Sequence, residues 1–247
     1  MPIDVNGKVV IITGGAGAIG TAVARRLLAD GAKVVIADVR DAPDLRSELR
    51  SMGDALYITA DVSSPEDTQR MARETEAAYG RIDVLINNAG LYTGKPFEEI
   101  TLEDWRERMR VNLEGPFLCI KAVLPAMKRQ GRGKIINIGS DTVWMGTPGL
   151  AHYVTSKAGL LGLTRALATE LGPLGITTAY VTPTLLDTPG TRQAFLQAHF
   201  DYVQSHTPIG RLETPEDVAG LILFLCSDDA AFVNGAAINI GGGISMH

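Results

Sequence analysis

The stretch Val9-Val10-Ile11-Ile12-Thr13-Gly14-Gly15-Ala16-Gly17-Ala18-Ile19-Gly20 decides how the chain reads. Its β-branched start shows no polar alternation, so both faces expect cover, as in a parallel sheet. The run breaks into glycines and resumes as an amphipathic pattern. Glycines there let backbone amides approach an anion, and a helix start adds about half a positive charge. Strand, glycine turn and helix in that order suit a pyrophosphate. Gly14, Gly17, Ala18 and Ile19 are the expected contacts of this turn.

Working outward, similar runs recur at 34–37, 56–59, 84–86, 134–138, 176–181 and 237–240. Helical patterns fill the gaps, and several starts are legible. Ser64-Pro65-Glu66-Asp67, Thr101-Leu102-Glu103-Asp104 and Thr214-Pro215-Glu216-Asp217 each place a hydroxyl before acids that favour a helix N-terminus. Gly31 suits a left-handed C-cap of the first helix. Strand alternating with helix about seven times predicts an α/β fold: a doubly wound parallel sheet, helices on both faces, one domain over 1–247. The connection from Pro183 to Thr214 is too long for a simple crossover. Its amphipathic stretch, about 191–204, predicts a substrate lid at about 184–214.

Composition narrows the function. The chain has 247 residues, 45% of them hydrophobic and 21% charged, with net charge −5. That suits an ordinary soluble globular chain and gives no basic patch for nucleic acid or an anionic membrane. Cys119 and Cys226 are expected as buried reduced thiols. No signal-like segment opens the chain, and the longest strongly apolar stretch, 221–226, is too short to span a bilayer. A cytoplasmic location is expected. No His/Cys/acid cluster has metal-ligand spacing.

Asp38 ends the second strand, 18 residues after Gly20. A carboxylate there accepts from both adenosine ribose hydroxyls and repels a 2′-phosphate, so NAD is expected and NADP is less favoured. Arg40 lies two residues on, within reach of such a phosphate. Asp61-Val62 and Asn87-Asn88-Ala89-Gly90 follow the third and fourth strands, at the carboxyl edge where open α/β sheets bind ligands. Asp61 is expected to accept from the adenine amino group, and Asn87 to tie strand ends.

Tyr153-Val154-Thr155-Ser156-Lys157 opens a helical pattern reaching about Leu171. Residues four apart share a helix face, so Tyr153 and Lys157 project together. Ser140 closes the fifth strand, and Asn112 lies in the helix after the Asn-Asn-Ala-Gly stretch. Hydride transfer at a carbonyl carbon needs a proton at the oxygen. A phenol with an ordinary pKa of about 10 is a poor base unless a cation favours its anion. Lys157 is expected to supply that charge, and Ser140 a hydrogen bond to the substrate oxygen.

These residues together resemble the short-chain dehydrogenase/reductase family, in its NAD(P)-binding Rossmann form. The likeness runs from Gly7-Lys8 to Gly242-Gly243. It implies Tyr153 as general acid/base, Ser140 as substrate orienter, Lys157 as the residue that binds ribose and lowers the phenol pKa, and Asn112 as holder of a relay water. It also implies cofactor contacts at Asn88, Ala89, Gly90, Pro183 and Thr188, and a homotetramer through helices near 101–129 and 152–172. The segments Gly146-Thr147-Pro148 and Thr164-Arg165-Ala166-Leu167-Ala168 resemble bacterial members acting on secondary alcohols. Three positions depart from the family pattern: Ala18 for a glycine, Thr184 for the glycine after Pro183, and Ala179 for an asparagine.

The expected reaction interconverts a secondary alcohol and a ketone. The expected pocket comprises Tyr92, Ser140, Asp141, Val143, Trp144, Thr184, Leu185, Leu186, Phe195 and Phe200. Most are apolar, which favours a hydrophobic or aromatic substrate. His152 is expected as an exposed helix-start residue and His247 as a surface tail. The alternative is a dinucleotide-binding sensor or scaffold without turnover.

Overall fold

The computed structural model describes residues 3–246, and His247 lies outside them. Seven strands form one parallel sheet: β1 (Val9–Thr13), β2 (Lys33–Asp38), β3 (Ala55–Thr59), β4 (Val84–Asn87), β5 (Gly133–Ile138), β6 (Ile176–Thr182) and β7 (Ala236–Asn239). Their order is β3-β2-β1-β4-β5-β6-β7. All seven fall within a residue or two of the predicted runs.

The absence of polar alternation in the strands has the expected cause. On β1, Val10 and Ile12 join the core on one side of the sheet, while Ile11 joins the core on the other. The first core packs α1 (Ala18–Ala29), α2 (Pro43–Met52) and α10 (Pro215–Cys226) against the sheet. The second packs α3 (Pro65–Tyr79), α5 (Gly115–Gln130) and α7 (Ala151–Leu171). Each fully buried Val, Ile or Leu contributes about 1.5–3 kcal/mol. Cys119 and Cys226 are free and buried, and burial pushes both thiols up to about 12. Among the described residues no helix is long and apolar enough to cross a membrane.

The predicted helix starts hold. Ser64 Oγ accepts from the Asp67 amide, and Thr101 and Thr214 form reciprocal capping boxes with Asp104 and Asp217. Gly31 takes φ +83° just after α1. Two features differ from expectation. The amphipathic stretch at 191–204 is not one helix but two, α8 (Pro189–Ala194) and α9 (Gln197–His206). Thr188 caps α8, and Phe195 and Leu196 are extended, which ends the first helix and starts the second. The helix holding Asn112 is interrupted: α4 (Leu102–Met109) passes through a π-helical turn at Arg110–Glu114 before α5. The remaining short helix, α6 (Thr142–Met145), follows β5.

The strand order reverses between β1 and β4, since the chain leaves β1 toward β2 and returns to β4 on the opposite side. A crevice at the carboxyl ends of those strands is the expected ligand position in such a sheet.

Candidate active site

The crevice is built from backbone. Gly14 has φ +60°, and a Cβ there would stand 2.7 Å from the Ala89 Cα. Only glycine allows the loop after β4 to press on the turn after β1. Asn88 fastens the same junction: its Nδ2 donates to the carbonyls of Thr13 and Gly14, both at 3.0 Å. Gly17 is extended and caps α1 without any side-chain bond, and the first turn of α1 holds no acid. The positive helix end is thus left to whatever lies in front of it. A Cβ on Gly17 would meet only the Gly14 carbonyl, at 3.2 Å, so its face is open. Ala18 is exposed and Ile19 half-buried against the core. These features fit a dinucleotide pyrophosphate.

Asp38 ends β2 with its carboxylate buried and fully engaged. Oδ2 accepts from the Ala16 amide at 3.0 Å, and Oδ1 from the Arg40 amide at 3.0 Å and Arg40 Nε at 3.1 Å. Arg40, expected as a possible phosphate contact, instead lies across Asp38, and its Nη2 reaches Oδ2 at 3.4 Å. Asp61 is half-exposed, and its Oδ1 accepts from the Ser63 amide and hydroxyl. Val62 is buried, and its methyl would stand 2.9 Å from a Cβ on Gly115. Asn87 ties strands as expected, donating from Nδ2 to Asn137 Oδ1 at 2.8 Å.

The second group of residues gathers past the ends of β4, β5 and β6. Ser140, Tyr153, Lys157 and Asn112 come together. Ser140 is hydrogen-bonded to Tyr153. Lys157 Nζ sits 5.8 Å from the Tyr153 ring centroid and donates to the Ile138 carbonyl at 2.7 Å. Gly90 closes over it: a Cβ there would lie 3.5 Å from Lys157 Nζ. Asn112 is fully buried in the π-helical turn. Its Nδ2 donates to the Leu91 carbonyl and to Ser156 Oγ, and its Oδ1 accepts from the Leu91 amide. The backing is tight. The Tyr180 ring packs on Gly139, where a Cβ would stand 2.0 Å from the ring, and its hydroxyl donates to the Lys157 carbonyl at 3.0 Å.

The electrostatics of the pair follow from burial. In the chain alone burial pushes the Tyr153 phenol up to about 12 and the Lys157 ammonium down to about 8. What pulls Tyr153 down is the bond from Ser140 and the charge of Arg108, while Asp141 and Tyr92 push it up.

The expected pocket divides. Tyr92 and Phe195 stack with centroids 6.5 Å apart, and Val143 and Leu185 are half-buried. Trp144 packs against the small core of Leu160, Leu161 and Tyr180. Leu186 is corrected: it is buried in the main core, because its backbone bridges to Glu213. Phe200 is likewise buried, with the Arg192 guanidinium 4.0 Å over its ring. Thr188 spends its hydroxyl capping α8, and the Pro183 carbonyl accepts from the Asp141 amide.

Several charges were not foreseen as buried. Asp141 is 2% exposed, and burial pushes its carboxyl up to about 6. It is hydrogen-bonded to Thr184, whose amide donates to Glu213 Oε2 at 2.6 Å. Glu213 is buried too, and desolvation raises it to about 8. Thr184 thus joins two acids. His152, expected to be exposed, is 2% exposed, because Arg108 of α4 packs on it with Nη2 3.5 Å from Nε2. Among the described residues no group of three or more His, Cys, Asp or Glu could hold a metal ion.

A doubly wound sheet with a glycine turn at its switch point, and a buried Ser-Tyr-Lys group beside it, defines an oxidoreductase of Rossmann architecture. The chain belongs to the short-chain dehydrogenase/reductase family. The matching family profile, described as enoyl-(acyl carrier protein) reductase, covers residues 14–245. The (2S)-[(R)-hydroxy(phenyl)methyl]succinyl-CoA dehydrogenase subunit BbsD of Thauera aromatica is 38% identical over 99% of both chains. The meso-2,3-butanediol dehydrogenase of Serratia marcescens is 37% identical over 96% of this chain and 94% of its own. A crystal structure of 3-ketoacyl-(acyl-carrier-protein) reductase from Brucella melitensis, complexed with NADH, superposes with TM-score 0.92 at 32% identity, covering 98% of this chain and 100% of that one.

Proposed function

We propose that the protein interconverts a secondary alcohol and a ketone, with NAD as the preferred coenzyme. The observation that carries this reading is the Ser140–Tyr153 hydrogen bond beside the Lys157 amine, at the mouth of the glycine-turn crevice. A nicotinamide dinucleotide bound in the crevice would supply the acceptor or donor of the hydride. Tyr153 Oη takes the hydroxyl proton in oxidation and returns it in reduction. Ser140 Oγ donates to the substrate oxygen and stabilises the charge that builds there. Lys157 holds the nicotinamide ribose. Asn112, locked by Leu91 and Ser156, fixes the helix on which a relay water would sit.

Gly14, Gly17, Ala18 and Ile19 face the pyrophosphate. Asp38 would hold the adenosine ribose, and Asp61 and Val62 the adenine. Asn88, Ala89, Gly90, Pro183 and Thr188 border the nicotinamide half. The NADH complex of the Brucella relative supports a nicotinamide dinucleotide. The segment 184–214 acts as a lid, and Tyr92, Val143, Leu185 and Phe195 form apolar walls for a hydrophobic or aromatic substrate. Assembly as a tetramer would cover the exposed Leu102 and Phe117 on α4 and α5.

The test is to mix the protein with NAD or NADP and a panel of secondary alcohols, including 1-phenylethanol, and to follow reduced coenzyme by absorbance. NAD-linked turnover is expected. NAD binding without turnover on any alcohol would support a sensor, and a clear NADP preference would overturn the role given to Asp38.

A further inference from the structure

We propose that Thr142 is a positioning residue: by filling both acceptor positions of the Ser140 hydroxyl it leaves Ser140 able only to donate, and so directs the substrate's proton to Tyr153. The inference rests on Ser140 binding the substrate oxygen.

A serine hydroxyl has one O–H donor and two acceptor lone pairs, and it rotates to suit its neighbours. A substrate alcohol has a single hydroxyl proton. It can pass that proton to Tyr153 only while it does not hydrogen-bond it to Ser140. A serine free to accept would hold the proton in an unproductive contact, because a neutral hydroxyl is far too weak a base to remove it.

The Ser140 backbone is fixed on both sides. The Gly139 amide donates to the Val181 carbonyl at 2.7 Å, and the Asp141 amide to the Pro183 carbonyl at 3.1 Å. Strand β6 and the residue after it therefore hold the turn, and Ser140 is 6% exposed. What the fold leaves open is rotation about the Cβ–Oγ bond. Thr142, the first residue of α6, closes it. Its Oγ1 donates to Ser140 Oγ at 2.9 Å, and its amide donates to the same atom at 3.3 Å. These two bonds use both lone pairs. Any residue opening α6 would offer the amide, but only a hydroxyl-bearing one offers the second donor. Backbone bonds close the turn without that hydroxyl: the Trp144 and Met145 amides donate to the Asp141 carbonyl, and the Gly146 amide to the Thr142 carbonyl.

What remains to Ser140 is its own O–H, with Tyr153 and Asp141 within hydrogen-bonding reach. Alcohol, alkoxide and ketone oxygens all accept a hydrogen bond. A donor-only serine can therefore hold the substrate oxygen in every state of the reaction. The alcohol proton then has Tyr153 Oη as its recipient.

The experiment uses the full chain with NAD and whichever alcohol of the panel turns over. It compares wild type with Thr142→Val, Thr142→Ala, Thr142→Ser and Ser140→Ala, and combines the valine and alanine variants with Ser140→Ala. Ser140→Ala is expected to lower kcat for oxidation about a hundred-fold or more. Thr142→Val keeps the shape and the amide bond, and is expected to lower kcat about five- to ten-fold without raising KM, since alcohols that donate to Ser140 are bound but unproductive. Thr142→Ala removes the same hydroxyl and repeats the loss, so a valine variant that does not fold still leaves a result. Thr142→Ser restores the donor and keeps kcat within about two-fold of wild type. In the Ser140→Ala background the Thr142 changes alter kcat by less than about two-fold, because no hydroxyl is left to orient. A threonine that merely packs would cost the same factor with or without Ser140, and serine would not rescue it. An equal loss in both backgrounds, a loss that serine does not rescue, or no loss in Thr142→Val and Thr142→Ala overturns the proposal. Ser140→Ala separates the two readings. Full turnover there removes Ser140 from the reaction and Thr142 with it. A large loss there, with none in the Thr142 variants, removes Thr142 alone. A panel on which no alcohol turns over overturns both.

Discussion

The half of the sheet built from β1 to β3 and the half built from β4 to β6 solve different problems. In the first, the working surface is backbone: Gly14 against Ala89, an open helix start at Gly17, and Asp38 with bonds on both oxygens. In the second, side chains carry the site and polar atoms go unpaired. Asn87 Oδ1, Arg108 Nε and Nη1, Asp141 Oδ2, His152 Nδ1 and Glu213 Oε1 are buried without partners. Arg46 and Arg81 also leave Nε bare, but both guanidiniums are ion-paired. Binding a constant ligand is served by fixed amides. Moving a proton needs groups whose charge is poorly solvated, and these cost stability.

The contrast can be broken by mutation. The largest effect is expected from Tyr153→Phe, which removes the proposed proton carrier but no backbone. Turnover should fall by about a thousand-fold or more, with NADH affinity within a few-fold of wild type by fluorescence titration. A comparable loss of affinity would mean that the two halves are not separable.

Gly14→Ala attacks the other half. The new methyl meets the Ala89 backbone in a left-handed conformation. Unfolding by denaturant should show a loss of about 2–4 kcal/mol, and dinucleotide affinity should drop about ten-fold or more. Unchanged affinity in folded protein would show that the turn is not the pyrophosphate cradle.

Glu213→Gln sharpens the comparison through pH. The folded chain holds the Glu213 proton up to about 8, against an ordinary 4.5. Folding therefore favours the protonated acid, and the stability it contributes is full below about 4.5 and is lost as pH rises through about 8, at up to about 1.4 kcal/mol per unit. Glutamine keeps an acceptor for the Thr184 amide and has no proton to lose. Its melting-temperature advantage over wild type should grow from pH 5 to pH 8 and then level off. A gap that stays constant would show that Glu213 is not a buried titrating group.

The smallest effect is expected at Ser64, far from either site. Ser64→Ala removes the cap of α3 and should cost about 1 kcal/mol in chemical denaturation, with activity unchanged.

What could be read beforehand follows the range of the interaction. Strands buried on both faces announce themselves as unbroken apolar runs, and caps such as Thr101 and Thr214 need only their own next three residues. The Ser140, Tyr153 and Lys157 group was legible because its spacing is local and its placement at strand ends follows from topology. Burial of Arg108 against His152 depends on residues 44 apart, which no local pattern shows. A signal did exist: Arg108 stands four residues before Asn112, on a face expected to point inward, where a cation is out of place. Glu213 was hidden differently, since an acid beside Thr-Pro-Glu-Asp looks like one more charge at a helix start. The two-helix form of the segment after Thr188 was missed because the amphipathic spacing runs on through extended residues.

The π-helical turn at Arg110–Glu114 carries a consequence for how this chain tolerates change in length. Excising one residue there would restore regular winding and rotate everything before it by about 100°. Arg108 would swing off His152 while Asn112 stayed put. Insertions are absorbed readily in exposed loops, but this segment has a fixed residue count, and a chain one residue shorter here would lose the contact between Arg108 and His152.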